Sequence, residues 1–204
     1  MRMLHRFWIL IVVLVGVGLA ERTVPASAEG RYLAGRMLVA SPKLSDPYFR
    51  HAVVYLVEHD AEGAVGLIIN RKMGEGSLAD MVGELGLQMQ GDRQVGLFFG
   101  GPVSLRNVFV LHSDDYRGKG TLGAKGAIAM TGDKSIIEAI AEGAGPTMTR
   151  FMMGYAGWGS GQLEKEIARG DWFDAPADAG LIFESGADTL DTWRRARDKA
   201  GLTL

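Results

Sequence analysis

The sequence predicts an α+β fold: a mixed, mostly antiparallel sheet with three or four helices packed on it. Three observations carry that prediction. Short runs rich in β-branched and aromatic residues recur along the chain, bounded by glycine, proline, serine or aspartate. The early connections are hairpin-like, which disfavours a doubly wound parallel sheet. Helical periods are few and irregularly interspersed, so no regular βαβ rhythm develops.

Gly35 to Ala40 forms the first strand, ended by Ser41-Pro42. Leu44 to Phe49 is a turn, because Asp46 precedes Pro47 and is driven out of helical geometry. Ala52–Val57 and Val65–Asn70 are strands joined by a hairpin turn at Asp60–Gly63. Their continuous apolar character suits strands covered on both faces. Ser77 caps a short helix with Leu78, Met81, Val82 and Leu85 on one face and Gly86 closing it. Gln88–Arg93 is a polar surface loop. Val95–Phe99 is a strand running into Gly100-Gly101-Pro102, and Val108–Leu111 is a strand running into His112-Ser113-Asp114-Asp115. A weaker strand signal covers Lys125–Thr131. Asp133 caps a helix whose Ile136, Ile137, Ile140 and Ala141 face the core before Gly143. Thr149–Tyr155 is a strand, followed by a glycine loop around Trp158 and Ser160. The short helix after it puts Leu163 and Ile167 one turn apart. Trp172–Phe173 and Leu181–Phe183 are short late strands, and Leu190, Trp193, Ala196 and Ala200 mark a C-terminal amphipathic helix.

The first 28 residues have a different character. Arg2, His5 and Arg6 precede an apolar or glycine run from Phe7 to Leu19, and Ala26-Ser27-Ala28 provides a small-x-small cleavage site. This is the three-part pattern of a secretory signal peptide. The expected organisation is therefore a leader, 1–28, and one domain, 29–204. The apolar run is shorter than the roughly 20 residues of a membrane helix, so the cleaved chain keeps no stable transmembrane segment. The alternative is an uncleaved anchor. The expected location is periplasmic or secreted; a start-site artefact would leave the protein cytoplasmic.

Loss of Arg2, Arg6, Glu21 and Arg22 with the leader moves the formal net charge from −2 to −4. An acidic body disfavours nucleic acid as a partner. The absence of cysteine excludes disulfides, thiolate metal sites and cysteine nucleophiles. The 29 glycines exceed the usual share of about 7%, and they forecast close backbone approaches.

The glycine loop Gly154–Gly161 invites a phosphate-cradle reading, but neither dinucleotide nor P-loop spacing is present. No lysine directly follows the last glycine, and Glu164 and Glu166 would repel an anion. A tight strand-to-helix turn that packs Trp158 on the body is favoured. His59 and His112 stand at strand ends near carboxylates, and a pairing with Ser41, Ser113 or Ser160 would make a nucleophile and base. Ser160 sits one residue out of register for a G-x-S-x-G elbow. No metal-binding spacing occurs, so no metal or cofactor is expected. Asp46 suits an Asx-turn, with Asn70 in a similar role at its strand end. Trp158, Trp172 and Trp193 suit the core.

Several separated motifs together resemble the AlgH/YqgE family of uncharacterised bacterial proteins. They are Gly35–Ala40, Asp46–Phe49, Gly66–Asn70, Gly100–Val103, Leu111-His112 and Gly154–Glu164, with Glu166-Ile167. The resemblance covers nearly all of residues 33–201. It implies a bifurcated sheet folded into a pseudo-barrel and no established enzymatic activity. One branch is named as a regulator of alginate synthesis, yet it lacks a recognisable DNA-binding motif, as does this chain. Family members usually look cytosolic, so the leader is a departure. The expected function is non-enzymatic binding or regulation. The surface offered to an unknown small molecule or protein partner would comprise Asp46, Asn70, Gly100, Gly101, Pro102, His112, Tyr155, Trp158, Gly159 and Gln162. The alternatives are a hydrolase-like enzyme with a strand-end histidine base, or a transcriptional regulator.

Overall fold

The computed structural model describes residues 32–202, apart from 90, 125, 126, 185 and 187; the leader lies outside the described residues. Ten strands run in the order β1 (Arg36–Ala40), β2 (Val53–Asp60), β3 (Gly63–Ile68), β4 (Lys72–Ser77), β5 (Gln94–Phe99), β6 (Val103–His112), β7 (Thr121–Leu122), β8 (Ala129–Thr131), β9 (Thr149–Gly159) and β10 (Trp172–Pro176). Among the described residues four α-helices accompany them: α1 (Leu78–Glu84) after β4, α2 (Ser135–Ala141) after β8, α3 (Gln162–Ala168) after β9 and α4 (Thr189–Lys199) after β10. The sheet runs β10-β1-β2-β3-β9-β6-β8-β7 and curls into a half-barrel, confirming the α+β class.

The β1–β2–β3 meander forms as the apolar runs predict, with Leu38 opposite Val54 and Val54 opposite Ile68. Met37, Leu38, Val39 and Ala40 are all fully buried, so successive side chains face covered layers on both sides. On one side Met37, Tyr55 and Leu67 pack with Trp193 and Ala196 of α4. On the other, Leu38, Val54 and Ile68 pack with Leu163 of α3, Trp158 and Trp172. Helices α1 and α2 cover Val110 and Phe151 further along the sheet. The caps are local: the Ser77 hydroxyl accepts the Asp80 N–H at 3.0 Å, and the Asp188 carboxylate accepts those of Leu190 and Asp191.

The sheet bifurcates at β9. Its first half, Phe151–Met153, pairs in parallel with β5, whereas Ala156–Gly159 pairs antiparallel with β3. β6 lies along the opposite edge. Gly100 fills the fork: its carbonyl accepts the Ile68 N–H and its own N–H donates to Met153, both at 2.8 Å. A Cβ at Gly100 would lie 2.2 Å from the Gly154 carbonyl oxygen, and one at Gly101 (φ +151°) 2.2 Å from the Tyr155 carbonyl carbon. The close approach that these glycines permit is therefore to the chain itself.

Four expectations change. Gly157 and Gly159 belong to β9 rather than to a loop, and only Gly161, at φ +68°, makes the turn into α3. Leu181–Phe183 is not a strand but part of a π-helical turn, Gly180–Glu184, started by an Asp178 carboxylate that accepts the Leu181 N–H at 2.8 Å. β4 and β7 were not foreseen. β6 begins five residues before its apolar run, at Val103.

Candidate functional site

The glycine-tryptophan segment is organised around one carboxylate. Glu166, on α3, accepts the indole N–H groups of Trp158 and Trp172 on one oxygen, at 2.8 and 2.9 Å. Its other oxygen accepts from the Gln162 amide at 2.9 Å, and the Gln162 oxygen accepts the Gly159 N–H at 3.1 Å. The two indoles meet edge to face with centroids 6.1 Å apart, and Phe49 closes the cluster at 5.6 Å from Trp172. Ser160 donates to the Ala61 carbonyl at the tip of the β2–β3 hairpin. Trp158, Gly159 and Gln162 are thus brought together, and Trp158 also lines a cavity of about 220 Å³ beside Glu58, Asp60 and Glu62.

Asp46 and Asn70 hold the neighbouring chain. The Asp46 carboxylate accepts the Tyr48 and Phe49 N–H groups, making the expected Asx-turn. Asn70 is buried; its oxygen accepts the Val53 N–H at 2.9 Å and its amide donates to His51 and Thr189 carbonyls. It therefore ties the β2 entry to the start of α4. Gly100, Gly101 and Tyr155 lie at the fork, where the half-buried Tyr155 ring stands edge-on to Phe109 at 5.7 Å; Pro102 follows the fork and leads into β6.

His112 is fully buried in a chain of hydroxyls. Nδ1 donates to the Ser113 carbonyl at 2.8 Å, and Nε2 meets the Thr131 hydroxyl, which meets that of Thr121 at 2.7 Å. The Ser113 hydroxyl instead donates to Asp115 and accepts the Met148 N–H. His59 accepts the Leu33 N–H on Nδ1, and its Nε2 lies 3.3 Å from Glu164 without hydrogen-bond geometry. Among the described residues, neither histidine is hydrogen-bonded to a serine hydroxyl.

Burial, reinforced by Arg117, holds the His112 pKa below 6.5, against the opposing pull of the Ser113 carbonyl, Asp115 and Asp114. As pH falls below 6.5 the unfolded chain takes up a proton that the folded chain resists. His112 therefore contributes stability that is complete above that value and declines as pH falls towards the depressed one. Urea midpoints at about pH 7.5 and about pH 5.5 test this. The wild type is expected to lose more stability between them than His112→Gln, and equal losses would refute the assignment.

A cavity of about 400 Å³, lined by none of the ten expected residues, lies where β4, β5 and β9 meet. Its lining includes Lys72, Glu75, Arg93, Phe98, Thr149 and Arg150. Arg150 is 4% exposed; its guanidinium donates to the Ile69 carbonyl at 2.5 Å and lies 4.0 Å from the Phe98 ring centroid. Burial lowers its pKa to about 10, so it remains a cation at neutral pH. Lys72 pairs with Glu75, and Arg93 makes no ion pair among the described residues. On a chain of formal net charge −2, the described residues lining this concavity include three cations and one carboxylate.

Comparison with known proteins shows the family of the chain. The sequence model of the AlgH-like family, DUF179, matches residues 37–204. The chain belongs to that family. A UPF0301 protein of Methylococcus capsulatus is 46% identical over 171 residues, covering 84% of this chain and 93% of its own length. Another, from Rhodospirillum rubrum, is 42% identical over 172 residues, covering 84% and 88%. The solution structure of the AlgH protein from Pseudomonas aeruginosa superposes with a TM-score of 0.69 at 35% identity, over 82% of this chain and 88% of that one. A crystal structure from Corynebacterium diphtheriae, at 24% identity and TM-score 0.63, shares the fold.

Within this AlgH-like chain, Arg150 carries a local signal that hydrophobic periodicity does not register. It is the one charge in Thr149–Tyr155, a strand otherwise apolar enough to be buried. Lys72 and Arg93 carried none, since they reach the cavity only through β4 and the segment before β5.

Proposed function

We propose that this AlgH-like protein is a non-catalytic binding protein, exported by its leader, and that its ligand is a small anion held by Arg93 in the cavity between β4, β5 and β9. The observation that carries the reading is the cavity itself. It has the volume of a small-molecule site, and the exposed Arg93 guanidinium on its wall, with Lys72 across from it, supplies charge-assisted donors for an oxyanion. The engagement of both His112 nitrogens with neighbouring oxygens supports binding rather than acid–base chemistry. The basic, apolar and Ala-x-Ala order of residues 1–28 supports export. Sequencing the N-terminus of the protein from its native host tests that part: Glu29 is expected, and Met1 would refute it.

Titration with inorganic phosphate, followed by amide chemical shifts, tests the binding. Saturable shifts at Gly96, Thr149 and Arg150 are expected, weakened about tenfold in Arg93→Gln. Arg93 is exposed, so this change leaves the fold intact. Absence of saturation, or indifference to both Arg93→Gln and Lys72→Gln, would sink the anion reading.

A further inference from the structure

A separate cavity of about 400 Å³ opens where the middle of β6 faces α1 and α2, and it shares no lining residue with the Arg93 cavity. One wall is apolar: Met81, Leu85, Val108 and Ile137 line it and belong to the cluster that α1 and α2 build on the sheet. Its rim is set by an irregularity in β6. Val103 lies opposite Tyr155 and Val108 opposite Met153, so β6 bulges out of the ladder between them. Ser104 stands there at φ +53°, a left-handed backbone that non-glycine residues rarely adopt. A bulge re-aims side chains, and this one delivers the exposed Arg106 and Asn107 to the cavity.

Four charged side chains share that lining, and two of them have partners. Asp133 accepts the Ser135 N–H at 3.0 Å and pairs with Lys119 at 3.2 Å, and Lys134 pairs with Glu138 at 3.8 Å. Among the described residues, Arg106 and Glu84 make no ion pair, with each other or with any third group. One unpaired cation and one unpaired carboxylate therefore stand beside an apolar wall. A simple carboxylate would meet Glu84, and a simple amine would meet Arg106; a molecule carrying both charges offsets both.

We propose that this cavity binds a free apolar α-amino acid, its side chain against Met81, Leu85, Val108 and Ile137, its carboxylate on Arg106 and its ammonium on Glu84. The guanidinium fork matches a carboxylate, and the volume suits a small molecule. The site is independent of the anion reading above, and either can fail without the other.

Isotope-labelled protein, titrated separately with L-phenylalanine, phenylpropionate, phenethylamine and glycine, tests the assignment. L-Phenylalanine is expected to give saturable amide shifts at Arg106, Asn107, Val108 and Ile137. The two isosteres that lack one charge should bind about tenfold more weakly, and glycine, which has both charges and no body, should not saturate. Arg106→Gln and Glu84→Gln change exposed side chains and leave the fold intact. Each should weaken L-phenylalanine about tenfold. Arg106→Gln should leave phenethylamine no weaker, and Glu84→Gln should leave phenylpropionate no weaker. Absence of saturation with L-phenylalanine overturns the site. Phenylpropionate or phenethylamine binding as tightly as L-phenylalanine overturns the pairing of charges, and glycine binding as tightly overturns the role of the apolar wall. Indifference of L-phenylalanine to both substitutions likewise overturns the proposal.

Discussion

Gly101→Ala is expected to destabilise the protein by about 4 kcal/mol, combining backbone strain with overpacking. Gly101 has φ +151°, and an added Cβ would lie 2.2 Å from the Tyr155 carbonyl carbon, 2.3 Å from its oxygen and 2.4 Å from the Ala156 nitrogen. All three are backbone atoms of β9, so no rotamer change relieves the clash. Relief requires the fork to open, which pulls Gly100 away from the Met153 and Ile68 hydrogen bonds that seal it. Against a typical total of about 5–15 kcal/mol, that loss lowers the melting temperature on the order of 10 °C. Gly143→Ala is the control: φ is +75°, but nothing lies within 4 Å of the added carbon. It should cost about 1 kcal/mol of conformational strain alone. If calorimetry finds the two variants equally stable, contact at the fork is not what requires glycine at position 101.

The fork also shows where local sequence stops being informative. Residues 36–68 were legible because Met37–Ala40, Val53–Val57 and Leu67-Ile68 are apolar on consecutive positions, and a two-sided core asks for that pattern. Ser77 and Leu190–Trp193 were legible because helix starts and faces are written within one or two turns. Lys72–Ser77 gave no strand signal: its residues are largely exposed, and it exists through backbone pairing to β5. Leu181–Phe183 is a short apolar run, compatible with either a strand or a buried helical turn, and Asp178 decides it. The glycines correctly announced close approach, but their partners lie dozens of residues away. Gly100 meets Gly154, and Gly63 meets Trp158. The Arg150 cavity has the same limitation. One arginine inside an apolar strand is visible locally; its meeting with Lys72 and Arg93 is a product of topology.

The second large effect belongs to Glu166, which joins three side chains through two oxygens. Glu166→Ala strips the acceptor from two buried indoles, Trp158 at 7% and Trp172 at 2% exposure, and releases the Gln162 amide. A buried donor left unpaired costs about 1–3 kcal/mol, so about 3 kcal/mol is expected for the two indoles that share one site. Glu166→Gln keeps one carbonyl oxygen for the indoles. It presents an amide N–H₂ to Gln162, whose own amide must turn and give up the Gly159 N–H; the expected cost is about 1 kcal/mol. Tryptophan fluorescence should shift to longer wavelength in Glu166→Ala as the cluster admits water. Phe49 touches both indoles, so the loosening should extend to the Asp46–Phe49 turn. A double-mutant cycle decides whether the carboxylate acts through the indoles. Trp158→Phe removes one N–H that Glu166 satisfies, so Trp158→Phe with Glu166→Ala should cost at least about 1 kcal/mol less than the sum of the single changes. Strict additivity would mean that Glu166 stabilises the chain by some route other than the paired indoles.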